Sequence, residues 1–444
     1  MTAAPQSGVD RALVKRLKDR EDARFAAAHP RSAELMARAR EYRDFNIADM
    51  SMSCGYGPEP LVRAVSDRMS RSPGGTAVRR QVPRPPRGNQ FLLPNEDAIV
   101  VSEELARRFG LPKWQYTSSA THGRVVIEER GVPAETASGT VLVPFNDEAA
   151  LARALEGRDV AIVLTEPAIM NNIGLLLPDD GFHATLRRLT RETGTLLAYD
   201  ETHTQVVGPG GLVRQWGLQP DLVTAGKSIA GGVPFGAWGM TDEIAEVLVQ
   251  RKGADGERSD LVATGGTIFG NALAMAAARA VLTEILTPAV YEHTQRLGAR
   301  LADGMRASAE RHGLPWHIHH LGPRSGYTFH PTPIRTAAEG RAAADELLTR
   351  LIRIWLANRG VWEAIVGAGP VCAIPATDGL PRAVAGPPVQ LAGTRPSRRG
   401  SPVPEVTRAA SSVETRRTVE IWIVALTRVV RSRSGPDSCG SRPR

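Results

Sequence analysis

Thr195-Leu196-Leu197-Ala198-Tyr199-Asp200 and, further on, Asp221-Leu222-Val223-Thr224-Ala225-Gly226-Lys227 decide the fold of this 444-residue chain. Each is a short, mostly apolar run that leads to a charged side chain. A third run, Val160-Ala161-Ile162-Val163-Leu164, precedes them, and a helical pattern from His183 to Glu192, closed by Gly194, lies between. Apolar runs of this length suit strands of a parallel sheet buried on both faces. Strands alternating with helices predict an α/β layered domain with a mostly parallel sheet. In such a sheet the carboxyl ends of the strands face the ligand crevice, so Asp200 and Lys227 are expected in one cleft.

Working outward, residues 271 to 312 read as a long helix or a helix pair leaving the sheet. His317 to Thr328, a helix from Ala337 to Ala357 and the stretch Gly360 to Ile374 then suggest a small α+β domain. On the other side, Asp97 to Phe109 has helical spacing closed by Gly110 and Pro112. Residues 11 to 43 and Leu61 to Val65 also read as helical. Arg71 to Gly88 holds five Arg, four Pro, three Gly and no acid, the composition of an exposed loop or insertion. The expected organisation is N-terminal helices and part of the small domain in 1–88, a large domain in 89–285 and the rest of the small domain in 286–378. Residues 379–444, rich in Pro, Arg, Ser and Gly, are expected to be mostly disordered, with the apolar run Ile421 to Leu426 standing alone.

Charge narrows the functional classes. Residues 379–444 carry twelve Arg and four acids (Glu405, Glu414, Glu420 and Asp437), and 12 − 4 = +8 equals the net charge of the whole chain. Residues 1–378 are therefore formally neutral, and a basic domain surface for nucleic acid is not what the composition describes. Cys54, Cys372 and Cys439 are too scattered for a metal knuckle or a disulfide framework. No apolar run reaches the length of a membrane span, and the charged N-terminal stretch lacks a secretory signature, which predicts a cytoplasmic protein.

The chemistry lies at the two strand ends. An ionised Asp200 in a buried crevice calls for a cationic partner, and a protonated pyridine nitrogen is one. Lys227 is framed by Gly226, Ser228, Ile229, Ala230, Gly231 and Gly232, small or apolar neighbours that let a flat ring approach. Only five lysines occur against fifty arginines, so a lysine in this setting points to a need for an amine rather than for a charge. Together these residues predict pyridoxal 5′-phosphate, with Lys227 holding the cofactor as an imine and Asp200 paired with its ring nitrogen. Gly226-Lys227-Ser228 also matches the end of a phosphate-binding P-loop. That loop needs a glycine at 221, where Asp221 stands.

The motifs Thr165-Glu166-Pro167, Asn172-Ile173-Gly174, Pro178, Gly181-Phe182, Asp200-Glu201-Thr202, Lys227 and Gly266-Thr267-Ile268-Phe269-Gly270-Asn271 occur in this order. In this the chain resembles the class III PLP-dependent aminotransferases, most closely the glutamate-1-semialdehyde aminomutase branch. The resemblance implies a type I PLP fold and a homodimer with active sites at the subunit interface. It implies that Thr267 reaches the phosphate of the neighbouring subunit's cofactor. Ser119-Ala120-Thr121 occupies the place of the family's Ser-Gly-Thr phosphate turn. Thr202 stands where the family has Val against the ring face, and Glu166 lines the site in relatives, or else caps a turn.

Other residues invite weaker readings. His317, His319 and His320 suggest a metal cluster, but only two of them share one strand face and no third ligand joins them, so surface or satisfied roles are the expectation. His203 reads either as a substrate contact or as a loop residue. Arg324 suits a substrate carboxylate, although a solvated role is the expectation in so arginine-rich a chain.

The chain departs from the family where Thr121-His122-Gly123 runs straight into Arg124-Val125-Val126. Several tens of residues are missing at that junction, including a stacking aromatic and a sheet strand, whose loss would open a gap in the sheet. The expected activity is transfer of an amino group between an amino acid or amine and a keto acid or aldehyde. The alternatives are an aminomutase, and a homologue that keeps the scaffold without turnover. Small-molecule donors and acceptors are the expected partners, with no nucleic acid and no membrane.

Overall fold

The computed structural model describes residues 9–31, 58–71, 96–117, 139–171, 174–250, 269–359 and 424–428. The chain enters through α1 (Arg11–Ala28), which starts at Asp10, whose carboxylate accepts the amides of Ala12 and Leu13. Next come α2 (Glu59–Arg71), α3 (Glu96–Phe109) and β1 (Lys113–Thr117). β2 (Thr140–Val143), α4 (Glu148–Leu155) and β3 (Val160–Thr165) form the first crossover, followed by a small hairpin of β4 (Ile169–Asn171) and β5 (Gly174–Leu176). The second crossover is β3, α5 (Phe182–Thr193) and β6 (Leu196–Asp200). It is followed by a one-turn helix at Thr204–Val207, then α6 (Gly211–Gln215) and β7 (Leu222–Gly226).

Another single turn, Lys227–Ala230, leads to β8 (Gly236–Met240) and α7 (Asp242–Gln250). The predicted long helix is a pair. α8 (Ala272–Ala280) passes through a π-helical turn at Val281–Ile285 and gives way to α9 (Pro288–Arg311). Thr287 caps α9 with Pro288 in its first turn, where a missing N–H costs nothing. β9 (His317–Leu321) and β10 (Arg324–Thr328) form an antiparallel pair. The single helix expected from Ala337 to Ala357 is two, α10 (Ala337–Ala342) and α11 (Glu346–Ala357), because Asp345 caps the Leu348 amide and restarts the helix. The last element is β11 (Val424–Arg428).

Among the described residues seven strands make the main sheet, in the order β1-β8-β7-β6-β3-β11-β2. β3, β6 and β7 pair in parallel, whereas β8 runs against β7 and β1, and β11 runs against β3 and β2. Five strands therefore share one direction and two oppose it, the mostly parallel sheet expected from the sequence. The run Ile421 to Leu426 does not stand alone: its second half enters this sheet between β3 and β2.

The main core wraps the sheet. Val163, Leu197 and Val223 supply its strand layer, Leu151, Leu155 and Leu186 pack from α4 and α5, and Val101, Leu105, Met275 and Val281 pack from α3, α8 and the π turn. A second cluster joins Val14 of α1 to Ile318, Tyr327, Leu348 and Leu351. This cluster thus joins the N-terminal helix to the segment from α9 to α11. Arg11 pairs with the buried Asp345, and Asn358 donates to the carboxylate of the buried Glu21. Among the described residues no single helix is long and apolar enough to cross a membrane.

Candidate active site

β6 and β7 are adjacent and parallel, so their carboxyl ends open on the same edge of the sheet. Asp200 is the last residue of β6, lies opposite Thr224 and is 2% exposed. One residue later the Glu201 amide still donates to the Thr224 carbonyl at 2.9 Å, which holds the two strand ends together. β7 ends at Gly226, and Lys227 opens the next turn as a half-buried side chain. The structure therefore sets Asp200 and Lys227 at the neighbouring ends of two paired parallel strands.

Lys227 has φ +50, a left-handed backbone that a residue with a side chain adopts at a cost of about 1–2 kcal/mol. Two neighbours hold it there. Gln205, from the turn between β6 and α6, donates its amide to the carbonyl of Gly226 and to that of Thr202 at 3.3 Å. On the other side Gly231, with φ +59, closes the turn by donating its amide to the Ser228 carbonyl. Nothing in the sequence marks Gln205. It is one polar residue in a loop, and only the fold brings its amide onto the residue before the lysine.

Thr202 has a more specific part than a β-branched wall. Its amide, at 2.9 Å, and its hydroxyl, at 2.6 Å, both donate to Oδ1 of Asp200. Two donors on one oxygen orient the carboxylate. Valine would leave the hydroxyl's share of this undone.

Glu166, at the turn after β3, is buried and accepts the Met170 amide on Oε2 at 3.2 Å. His203 is buried beside it, with Nδ1 3.4 Å from each carboxylate oxygen. Glu166 thus caps a turn, as one of its two readings requires. His203 is buried against it rather than exposed on a surface loop.

A second layer lies beneath these residues. The imidazole of His183 donates from Nε2 to the Pro167 carbonyl and accepts the Tyr199 hydroxyl at Nδ1, each at 2.8 Å. Burial lowers the imidazole's pKa, and the Pro167 carbonyl opposes that shift. Burial likewise pushes the Tyr199 phenol up. The neutral tautomer with hydrogen on Nε2 satisfies both bonds and ties α5 to the turn after β3 and to strand β6 itself.

Glu201 is fully buried. Its carboxylate accepts the Thr204 hydroxyl and the Val213 amide, bridging the post-β6 turn to the start of α6. Burial is the largest influence on it and pushes it up to about 7, against the opposing pull of those hydrogen bonds. Gly211, with φ +59, is required here, because a β-carbon at that position would overlap the Glu201 carboxylate.

Ser119, Ala120, Thr121 and Thr267 lie outside the described residues, as do Asn172 and Ile173. Arg324 is not solvated: it starts β10 at 1% exposure. His319 is buried and His317 half-buried. Among the described residues no group of three His, Cys, Asp or Glu side chains is placed to hold a metal ion.

An acid and a primary amine at neighbouring strand ends, with the acid oriented by two donors and the amine set on a braced turn, fit the cofactor expected from the sequence. The comparisons agree. A family model described as aminotransferase class-III matches residues 137–372. A glutamate-1-semialdehyde 2,1-aminomutase of Anaeromyxobacter sp. strain Fw109-5 is 32% identical over 330 residues, 74% of this chain and 69% of that protein. A glutamate-1-semialdehyde 2,1-aminomutase 2 of Brevibacillus brevis is 39% identical over 207 residues, and this chain spans 46% of its length. The crystal structure of a glutamate-1-semialdehyde-aminomutase from Pseudomonas aeruginosa PAO1 superposes with a TM-score of 0.72 at 31% identity, covering 85% of this chain and 98% of that one. An alanine variant of that enzyme has been solved in complex with PMP.

Proposed function

This chain belongs to the class III aminotransferase family, whose members depend on pyridoxal 5′-phosphate, and on that premise we propose a specific division of work among its residues. The reaction is transfer of an amino group between an amino acid or amine and a keto acid or aldehyde. The observation that carries this reading is the pair Asp200 and Lys227, buried and half-buried at the ends of adjacent parallel strands.

When bound, the cofactor supplies an aldehyde carbon for the amine and a ring that accepts electrons from the substrate carbon. Lys227 would hold it through Nζ, and its amine would also serve to move a proton at the substrate carbon. Asp200, oriented by Thr202, would pair with the ring nitrogen. Glu166 and His203 wall the crevice. Ser119, Ala120 and Thr121 are assigned to the phosphate, and Thr267 to the phosphate of the neighbouring subunit's cofactor in a homodimer. The partners are small-molecule donors and acceptors.

A second reading, an aminomutase that returns the amino group to a neighbouring carbon of the same molecule, is favoured by the names of the relatives in Anaeromyxobacter and Pseudomonas. One experiment separates the readings. The purified chain is incubated with PLP, reduced with borohydride and mapped by peptide mass spectrometry, which should find a phosphopyridoxyl group on Lys227. Activity is then assayed with glutamate 1-semialdehyde alone, and with a panel of amino donors and keto acids. Turnover only with an added acceptor supports the aminotransferase, and turnover of the semialdehyde alone supports the mutase. Absence of the label on Lys227 would leave a homologue that keeps the scaffold without the chemistry.

A further inference from the structure

The main sheet contains a strand that the family-matched part of the chain does not supply. β2 and β3 are joined by α4 and run in the same direction, yet they do not pair with each other. Both pair antiparallel with β11. Ala425 lies opposite Leu142 on one side and Leu164 on the other. Leu426 lies opposite Val141 and Val163, and Thr427 opposite Thr140 and Ile162. The family match ends at residue 372, well before Val424.

A crossover that skips one position leaves two strands facing an empty row of backbone donors and acceptors. Here that row would lie against a core that includes the fully buried Val163 and the buried Val143. Unpaired backbone groups beside such a core are costly, so the position must be occupied for β2 and α4 to stay on the sheet. The tail is suited to do so at one place only. It carries prolines at 381, 387, 388, 396, 402, 404, 436 and 443 and none between 405 and 435, and proline is excluded from the interior of a sheet. Within that window Ile421-Trp422-Ile423-Val424 and Val429-Val430 concentrate the β-branched and aromatic residues that favour strands.

We propose that the space between β2 and β3 is a strand-accepting groove, filled in this chain by Val424–Arg428, and that an extended segment of the same sequence can fill it when supplied as a separate peptide. Val424–Arg428 is then an integral strand of the main sheet rather than an appendage. Glu166, which follows β3 directly, depends on it for a strand that is internal rather than at an edge.

Hydrogen exchange in the full chain and in Leu426→Pro tests this. Amides of Thr140–Val143 and Val160–Thr165 should exchange at least about 100-fold faster in the variant, while those of Leu222–Gly226 change by less than about threefold. Adding a synthetic peptide of residues 419–430 should restore the slow rates. Unchanged exchange at Thr140–Val143, or no recovery with the peptide, would overturn the proposal.

If Leu426→Pro fails to fold, a cross-link in a chain with Cys54, Cys372 and Cys439 replaced by serine decides the matter. Facing strand residues meet disulfide spacing, whereas a position three residues along lies roughly 10 Å farther away. Leu142→Cys with Ala425→Cys should therefore oxidise to a disulfide, and Leu142→Cys with Arg428→Cys should not. Equal yields from the two pairs would show that the strand does not occupy the groove.

Discussion

The two halves of the main sheet are built by different means. β6 and β7 lie side by side and are joined by a short connection, and each carries its proposed functional residue at or just past its own carboxyl end. β2 and β3 are also joined by a short connection, yet they meet only through a strand from the far end of the chain. The first pair is local and bears the proposed chemistry. The second is non-local and bears the outer wall, including the turn at Glu166. Local crossovers close early and at low entropic cost, whereas a distant strand must be captured across a long loop. The chemical half should therefore tolerate damage to the tail better than the wall does, and the wall should be indifferent to changes in the chemistry.

The largest expected effect lies in the chemical half. Lys227→Ala should lower turnover by roughly 10³-fold or more, because it removes both the attachment and the proton carrier. It should leave hydrogen exchange at Thr140–Val143 unaltered. Faster exchange at that distant strand would break the comparison.

Next comes Glu201, whose folded-state pKa of about 7 lies above its ordinary value of 4.5. The folded protein binds this proton more tightly than the unfolded chain does. The stability it contributes is therefore complete below about pH 4.5 and falls as pH rises through about 7, by at most about 3 kcal/mol. Glu201→Gln keeps an acceptor for the Val213 amide and should flatten that slope. Urea unfolding of both proteins between pH 5 and 8 measures it, and an equal slope in the variant would remove Glu201 as its source.

Two smaller effects sharpen the picture of the braced turns. His183→Leu deletes the bonds to Pro167 and Tyr199 and should cost about 2 kcal/mol in stability, read by denaturant midpoint. Gln205→Met keeps the volume but frees the Gly226 carbonyl, and should cost about 1 kcal/mol in stability while weakening PLP retention severalfold. Equilibrium dialysis of the cofactor distinguishes this from a purely global effect. A loss of stability with unchanged PLP affinity would mean that Gln205 does not hold the lysine's turn.

Much of the chemical half was legible in the sequence because its signals are local. The apolar runs ending at Asp200 and just before Lys227 give both strand identity and the edge on which their ends open. Gly194 marks the end of α5. The misreadings have a common cause. Arg324 looked solvated because one arginine among fifty carries no sign of its surroundings, and burial is a property of what packs over it. The single helix expected at 337–357 divides because Asp345 favours capping over continuation. The apolar run near 421 looked isolated because its partners lie far away in sequence.

What the sequence by itself determined is the pairing of an acid and an amine at neighbouring strand ends, and with it the family. Strand length, apolar run and terminal residue are all written within a few positions of one another. Only the tertiary structure decided how that pair is held: Thr202 on the carboxylate, Gln205 before the lysine, His183 under the Glu166-Pro167 turn, and a tail strand between β2 and β3. Hydrogen-bond partners and sheet neighbours depend on which distant segments the fold brings together, and no local pattern encodes that.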